Sequence, residues 1–565
     1  MHRRSTFPRF PFVAAALVGA LLALTACTGE PDRNGVVVTG IVPAPAEFEL
    51  ADGSPFTLTD AARLVAVGGG ARAVAETFAA PARAATGFPL PVVDGDAEAS
   101  DDSTARSTDL ELVVDADAAL GNEGYTLVSG ADGVRITASA PAGLFLGTQS
   151  LRQLLPAEIE HADATRSPDG GWLVPAVSIA DEPRFAYRAS LVDVARNFIA
   201  VDDVLDHLDR MALLKLNVLH LHLTDDQGWR LQIDAWPELT GVGASTSVGG
   251  GGGGFYTKDD YRRIVDYAAE RFITVVPEID LPGHTNAALS AYPELNCDGV
   301  AREPYEGVEV GFSSLCADPA RAEATDRFLA DVLSEVAELT PGPWIHVGGD
   351  EPLATEHDDF LDLVGRITTA AAATGKTVIA YHEMGASSEL PPGTIGHYWD
   401  LTAAHEMAPN RRDEPVRPYP ESAGQARSFL EQGGRLVLAP ADTTYLDMMY
   451  PDRPAGPLGT ELGTRWASTI TLEEAYAWRP EETVEGLEES DILGVAASIW
   501  TETIETVPDF EFMVFPRIAA IAEVGWSPAD ARDEAGFRTR LVTLGAHLDA
   551  LGVAYRKVGG VDWAE

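Results

Sequence analysis

The sequence predicts an α/β protein: a (β/α)8 barrel over residues 183–565, preceded by a small α+β domain over residues 43–182. Three observations carry this expectation. Eight apolar, strand-like runs recur after Arg184 with helical patterns between them, the count of a closed parallel barrel. Polar and aromatic residues follow nearly every run, as they do where all strand ends converge on one mouth. Before Pro183 the rhythm differs, with short strand-like runs and one amphipathic helical stretch. A doubly wound open sheet is the alternative for the second region.

Taken in order, the chain opens with Arg3, Arg4 and Arg9, then the apolar run Phe12 to Leu24. That run is too short to cross a bilayer, which takes about 20 residues, and suits the core of an export signal. It ends in Leu24-Thr25-Ala26-Cys27, similar to the lipobox of bacterial lipoproteins. Residues 1–27 are therefore expected to be a lipoprotein signal with Cys27 lipidated, and residues 28–42 a polar tether. An ordinary secretory signal with a chance cysteine is the alternative. The expected location is the outer face of the bacterial membrane through a lipid anchor, or the medium. No other stretch reaches 18 apolar residues.

In the small domain, strands are expected at Ala62–Val67, Leu110–Val114, Gly124–Val128 and Gly133–Ala138. Leu144, Gly147, Leu151 and Leu154 fall at helical spacing. The acidic stretch Asp94 to Ser107 reads as a loop, and Pro175 to Pro183 as a bridge. The barrel strands are expected at Ala189–Val194, Val218–Leu223, Thr274–Ile279, Trp344–Val347, Thr377–Tyr381, Thr394–Tyr398, Leu436–Ala439 and Leu493–Ile499. Helical patterns include Val201–Leu214, Asp259–Glu270, Ala320–Glu338, Phe360–Ala373 and Asp533–Leu551. Gly249–Gly254 is a flexible loop and no phosphate cradle, since no Lys-Ser/Thr follows it.

Composition narrows the function. A formal net charge of −47 repels phosphate backbones and argues against nucleic acid as partner. Three cysteines exclude a disulfide scaffold or a cysteine-rich zinc module. With Cys27 lipidated, Cys297 and Cys316 remain as one possible pair in an oxidising compartment, and two buried thiols are the alternative.

The strongest chemical signal is Trp344-Ile-His-Val-Gly-Gly-Asp350-Glu351-Pro352. Neighbours in a strand face opposite sides, so two adjacent carboxylates serve one site only if Gly348, Gly349 and Pro352 break the strand. Two carboxyls held this close do not ionise independently, which leaves one proton donor and one anion for acid-assisted acetal cleavage. A metal pair or a solvated acidic turn is the alternative. The second signal is aromatic: Trp399, Trp466 and Trp500 follow late strands, with Tyr381 and Tyr445 near them. Such rings stack on the C–H faces of pyranoses, while Asp447 and Glu502 suit sugar hydroxyls. The third is His220-x-His222 on one strand face, with Asp225 beyond. This also occurs in metal-dependent amidohydrolase barrels, but the middle-strand lysine and last-strand aspartate of that design are missing. His220 reads as a satisfied core histidine, and His222 stays open.

Four segments occur in order: His220-Leu-His-Leu-Thr-Asp225-Asp-Gln-Gly-Trp-Arg230, Pro277-Glu-Ile-Asp-Leu-Pro-Gly-His284, His346-Val-Gly-Gly-Asp350-Glu351 and Trp500-Thr-Glu502. Together they resemble the β-N-acetylhexosaminidases of glycoside hydrolase family 20, over about Pro43 to Trp526. The resemblance implies a retaining, exo-acting enzyme on terminal N-acetylglucosamine or N-acetylgalactosamine, in which the substrate's 2-acetamido oxygen is the nucleophile. It implies Glu351 as general acid and base, and Asp350 as the group that orients and stabilises the acetamido. Tyr445 would bond the acetamido oxygen, and Trp399, Trp466 and Trp500 would form the walls. Arg188, Asp447 and Glu502 would hold sugar hydroxyls, and Asp225 and His284 would tune the carboxylates. It also implies a Cys297–Cys316 disulfide, no cofactor and no metal. Where many relatives carry tryptophan on the fifth strand, this chain has Tyr381-His382-Glu383, which predicts a smaller, more polar wall. The rival functions are a metal-dependent amidohydrolase and a non-catalytic sugar-binding lipoprotein.

Overall fold

The computed structural model describes residues 40–95, 107–163, 168, 171–403 and 419–563. The expected signal segment and Cys27, together with most of the Asp94–Ser107 loop, lie outside them. The small domain is a seven-stranded mixed sheet. Its strands are β1 (Glu47–Leu50), β3 (Arg63–Val67), β4 (Val92–Asp94), β5 (Asp109–Val114), β6 (Tyr125–Gly130), β7 (Gly133–Ala138) and β9 (Val177–Asp181), ordered β1-β9-β6-β7-β5-β3-β4. A separate pair joins β2 (Phe56–Leu58) to β8 (Trp172–Val174). Two helices pack on the large sheet, α1 (Ala71–Thr86) and α2 (Pro141–Leu154). The four expected strands and α2 are present. The Pro175–Pro183 bridge proves to contain a strand, β9, which pairs with both β1 and β6.

The second region closes into the expected barrel. Its strands are β10 (Tyr187–Asp193), β11 (Val218–His222), β12 (Thr274–Glu278), β13 (Trp344–His346), β14 (Thr377–Tyr381), β15 (Ile395–Tyr398), β16 (Leu436–Leu438) and β17 (Ile492–Ile499). All neighbours are parallel, and β17 returns to β10 with Tyr187 opposite Gly494 and Val192 opposite Ile499. The expected helices fall at Val201–Leu213, Lys258–Ala269, Ala322–Leu339, His357–Ala373 and Glu534–Ala550.

Period two along the strands stacks the barrel interior in layers. One layer is apolar and includes Val218, Val276, Ile379 and Ile395. Two residues further along the same strands stand His220, Glu278, Tyr381 and His397, all buried. Each of these four side chains has at least one polar neighbour. His220 Nε2 is 2.7 Å from Glu278 Oε2, and Tyr381 donates its hydroxyl to the same oxygen at 3.2 Å. The Gly348 amide donates to His346 Nδ1 (3.0 Å), so the other ring nitrogen of His346 carries its proton toward His397 Nδ1, 3.2 Å away. The interior therefore passes from apolar to polar before it reaches the mouth.

Candidate active site

Side chains from all eight strand ends build the mouth. β10 runs into Asp193 and Arg196, β11 into Asp225, β12 into Asp280 and His284, and β13 into Asp350 and Glu351. β14 leads to Glu383 and β15 to Trp399, the segment after β16 carries Tyr445 and Asp447, and β17 ends at Trp500 and Glu502.

The acidic pair depends on a break in the backbone. β13 stops at His346, and Gly348 and Gly349 take φ of 67° and 118°. A Cβ on Gly348 would also stand 1.7 Å from Asp280 Oδ1, so both conformation and space demand glycine there. Glu351 itself is left-handed, with φ 45°. The result is that both carboxyls turn to one imidazole: His284 Nε2 is 3.7 Å from Asp350 Oδ2 and 3.5 Å from Glu351 Oε2. Behind it, His284 Nδ1 is 3.2 Å from Asp225 Oδ1, and Arg196 Nη2 is 2.8 Å from Asp225 Oδ2. One chain of charges runs from Arg196 through Asp225 and His284 to the pair.

The charges follow from these contacts. Burial disfavours the His284 imidazolium, but Asp225 and Asp350 outweigh it and hold the ring protonated. Burial likewise opposes the Asp225 anion, and Arg196 and His284 hold it well below the usual carboxylate range. The Asp350 carboxyl is raised. Burial pushes it up to about 6, with His284 opposing and the charges of Glu383 and Glu351 adding to the rise. Glu351 is the more open of the two, with 31% of its side chain exposed against 15% for Asp350.

The aromatic wall is continuous. Trp399 meets Trp466, Trp466 meets Tyr445, and Tyr445 meets Trp500, each with ring centroids 6.0 Å apart. The Arg196 guanidinium lies over Trp500 at 4.8 Å. Asp350 Oδ1 and Glu502 Oε2 are buried and have no hydrogen-bond partner among the described residues. Flat apolar rings beside polar atoms that lack protein partners are what a pyranose with its hydroxyls and amide requires. Asp447 accepts the Thr464 hydroxyl (3.2 Å) and the Trp500 amide (3.4 Å). Burial and the neighbouring Glu502 push its carboxyl up to about 8.

Two expectations need correction. Arg188 is the second residue of β10, at the barrel's other end, where Nη2 reaches Glu123 Oε1 of the small domain at 2.8 Å. It does not reach the mouth. The arginine that does is Arg196, three residues beyond the end of β10, within Asp193-Val-Ala-Arg. Tyr381 sits below the pair with its hydroxyl turned down to Glu278, so the smaller wall presents no extra polarity to the pocket. His222 is resolved too. Its Nε2 is 2.9 Å from Asp225, its Nδ1 is 3.1 Å from Glu278, and Arg196 Nη1 stands 3.2 Å away. Burial and Arg196 oppose the His222 imidazolium, but Glu278 and Asp225 outweigh them and hold the ring protonated. Cys297 and Cys316 form the expected disulfide.

A closed parallel barrel that gathers an acidic pair inside a ring of tryptophans defines a glycoside hydrolase. Residues 185–529 match the model for glycosyl hydrolase family 20, catalytic domain, and residues 38–182 match glycosyl hydrolase family 20, domain 2. The chain belongs to glycosyl hydrolase family 20, the family of the β-N-acetylhexosaminidases. It is 38% identical to a β-N-acetylhexosaminidase of Cellulomonas fimi, over 93% of this chain and 97% of that protein. It superposes on the family 20 β-N-acetylhexosaminidase of Streptomyces coelicolor A3(2) with a TM-score of 0.83 at 42% identity, covering 93% of this chain and 99% of the other. A mutant Streptomyces plicatus β-hexosaminidase in complex with its product GlcNAc gives 0.83 at 41% identity, over 93% and 98%.

Proposed function

We propose that this enzyme removes terminal non-reducing N-acetylglucosamine or N-acetylgalactosamine from β-glycosides with retention, using the substrate's 2-acetamido oxygen as nucleophile. The observation that carries this is the convergence of Asp350 and Glu351 on His284 inside the tryptophan wall. In the first step the acetamido oxygen bonds to C1 and the bond from C1 to the aglycone oxygen breaks. Glu351 gives that oxygen its proton, and an oxazolinium ion remains. Asp350, set deeper, stabilises the positive charge on the amide nitrogen. In the second step water attacks C1, the Glu351 carboxylate takes its proton, and the bond from C1 to the acetamido oxygen breaks, which restores the 2-acetamido group. Arg196, Asp447 and Glu502 hold the sugar hydroxyls, and Tyr445 and the three tryptophans enclose the acetyl group.

A panel of aryl hexosaminides with and without the 2-acetamido group tests the reaction. Removing the group is expected to lower kcat/KM by at least about 10³-fold, since it deletes the nucleophile. Glu351→Gln is expected to lower kcat on a glycoside with a poor leaving group by roughly 10³-fold. Equal rates with and without the acetamido group overturn the reading, and binding without turnover makes the protein a sugar-binding module. The expected substrates are oligosaccharides or glycoconjugates that end in an N-acetylhexosamine. We also propose that the enzyme is held at the outer face of the bacterial membrane by a lipid on Cys27. Cells fed labelled palmitate are expected to label the wild type and leave Cys27→Ala unlabelled. Equal labelling of both, or of neither, removes the anchor.

A further inference from the structure

Glu383 is a further carboxylate at the mouth, beside the Asp350–Glu351 pair, and the reaction proposed above gives it no step. It follows β14 in the short turn His382–Ala386 and is completely buried. A buried carboxylate is expensive unless its oxygens are well used. Here they reach two parts of the site at once. Oε2 accepts the indole N–H of Trp399 at 3.2 Å, and Oε1 accepts the main-chain N–H of Glu351 at 3.4 Å. The second contact meets the catalytic residue where its backbone is least ordinary, at the left-handed φ of 45° that turns its carboxyl into the pocket. The first fixes the tilt of an indole whose ring continues into Trp466 and, through it, Tyr445.

We propose that Glu383 is a positioning residue that locks the general acid's backbone and the Trp399 wall to each other, so that the proton donor and the acetyl pocket keep one mutual geometry through ring closure. This rests on the substrate-assisted reading. Its demand is greatest when the acetamido group has closed onto C1, because wall and acid must then match one compact bicyclic ion. Bound product asks less, since no bond ties its acetamido oxygen to C1. A glutamine here keeps the shape but has only one acceptor oxygen, so one of the two N–H donors would face an amide NH2.

The test is Glu383→Gln in the full chain, assayed on an aryl N-acetylglucosaminide alongside wild type. The expected result is a kcat lower by roughly 10 to 100-fold, the range for loss of an outer-shell anchor. KM and the affinity for GlcNAc should stay within about threefold. A thiazoline analogue of the closed ring should lose affinity in step with kcat, since it mimics the state in which the geometry matters. A kcat within about threefold of wild type, or equal losses for the thiazoline and GlcNAc, overturns the proposal. Should the variant not fold, Glu383→Asp keeps the carboxylate but draws both oxygens back by one methylene from the Trp399 and Glu351 N–H groups. It must then lower kcat by at least about threefold with GlcNAc affinity kept, and a wild-type kcat overturns the proposal. A wild type without acetamido-dependent turnover instead sinks the underlying reading.

Discussion

Asp447 shows how a single carboxyl at the mouth trades stability for function. Its folded-state carboxyl is pushed up to about 8 by burial and by Glu502, against about 4 in an unfolded chain. The folded state therefore holds the proton more tightly than the unfolded one, and ionisation above the unfolded value works against folding. This contribution lowers stability progressively as pH rises from about 4 to about 8. Asn at this position removes the ionisation while still accepting from the Trp500 amide and donating to the Thr464 hydroxyl. Asp447→Asn is thus expected to melt higher than wild type at pH 8.5, with a smaller gap at pH 5, and to lose activity through the missing hydroxyl contact. Thermal melts at the two pH values check this, and a variant that melts lower than wild type at pH 8.5 contradicts it. Which carboxyls cluster was legible in the sequence, because Asp350, Glu351, Asp447 and Glu502 each follow a strand-like run. The arginine that joins them was legible as well: Arg188 precedes the run Ala189–Val194 and Arg196 follows it, so the direction of the strand selects Arg196 over the residue the resemblance implied.

The strands were readable because apolar runs in a buried parallel sheet are continuous and are cut off sharply by polar chemistry. β14 spans Thr377–Tyr381 as expected, and the other seven barrel strands differ from expectation by no more than two residues at an end. Helix α1 was missed, and its composition explains why. Ala71, Val74, Ala75, Phe78, Ala79, Ala82 and Ala85 are buried at helical spacing, but five of these seven are alanines and Pro81 interrupts them. Alanine buries little area, so the pattern carries weak contrast, and packing on β3 and β4 decides the outcome. β9 was hidden for the opposite reason, since prolines on both sides make a strand look like a linker. The Gly348-Gly349 break was legible from residue identity alone. What sequence does not contain is the pairing across elements, and so neither the use of Glu383 by Glu351 and Trp399 nor the turn of the Tyr381 hydroxyl toward Glu278 was visible.

At the scale of the whole molecule, the small domain is fastened to the end of the barrel opposite the chemistry. Lys215 Nζ is buried against Asp181 Oδ2 at 2.7 Å and against the Tyr125 hydroxyl at 2.9 Å, and Trp526 donates its indole N–H to Asp181 Oδ1 at 2.9 Å. Arg188 completes the joint through Glu123 and the carbonyls of Lys215 and Phe185. These groups lie at the strand starts, where a barrel places stability, while Arg196 lies at the strand ends, where it places function. The two arginines of one strand are therefore expected to fail differently. Arg188→Met leaves Glu123 without its guanidinium and two carbonyl contacts unmade, so it should cost about 3 kcal/mol of stability. Its KM for an aryl N-acetylglucosaminide should stay within about twofold of wild type. Arg196→Met strips a cation from the sugar pocket and from Asp225, so KM should rise by at least about tenfold whatever happens to the melting temperature. Michaelis kinetics and thermal melts on the two variants decide the matter. A raised KM in Arg188→Met together with an unchanged one in Arg196→Met would return the sugar contact to Arg188 and remove the division of labour between the two ends of the barrel.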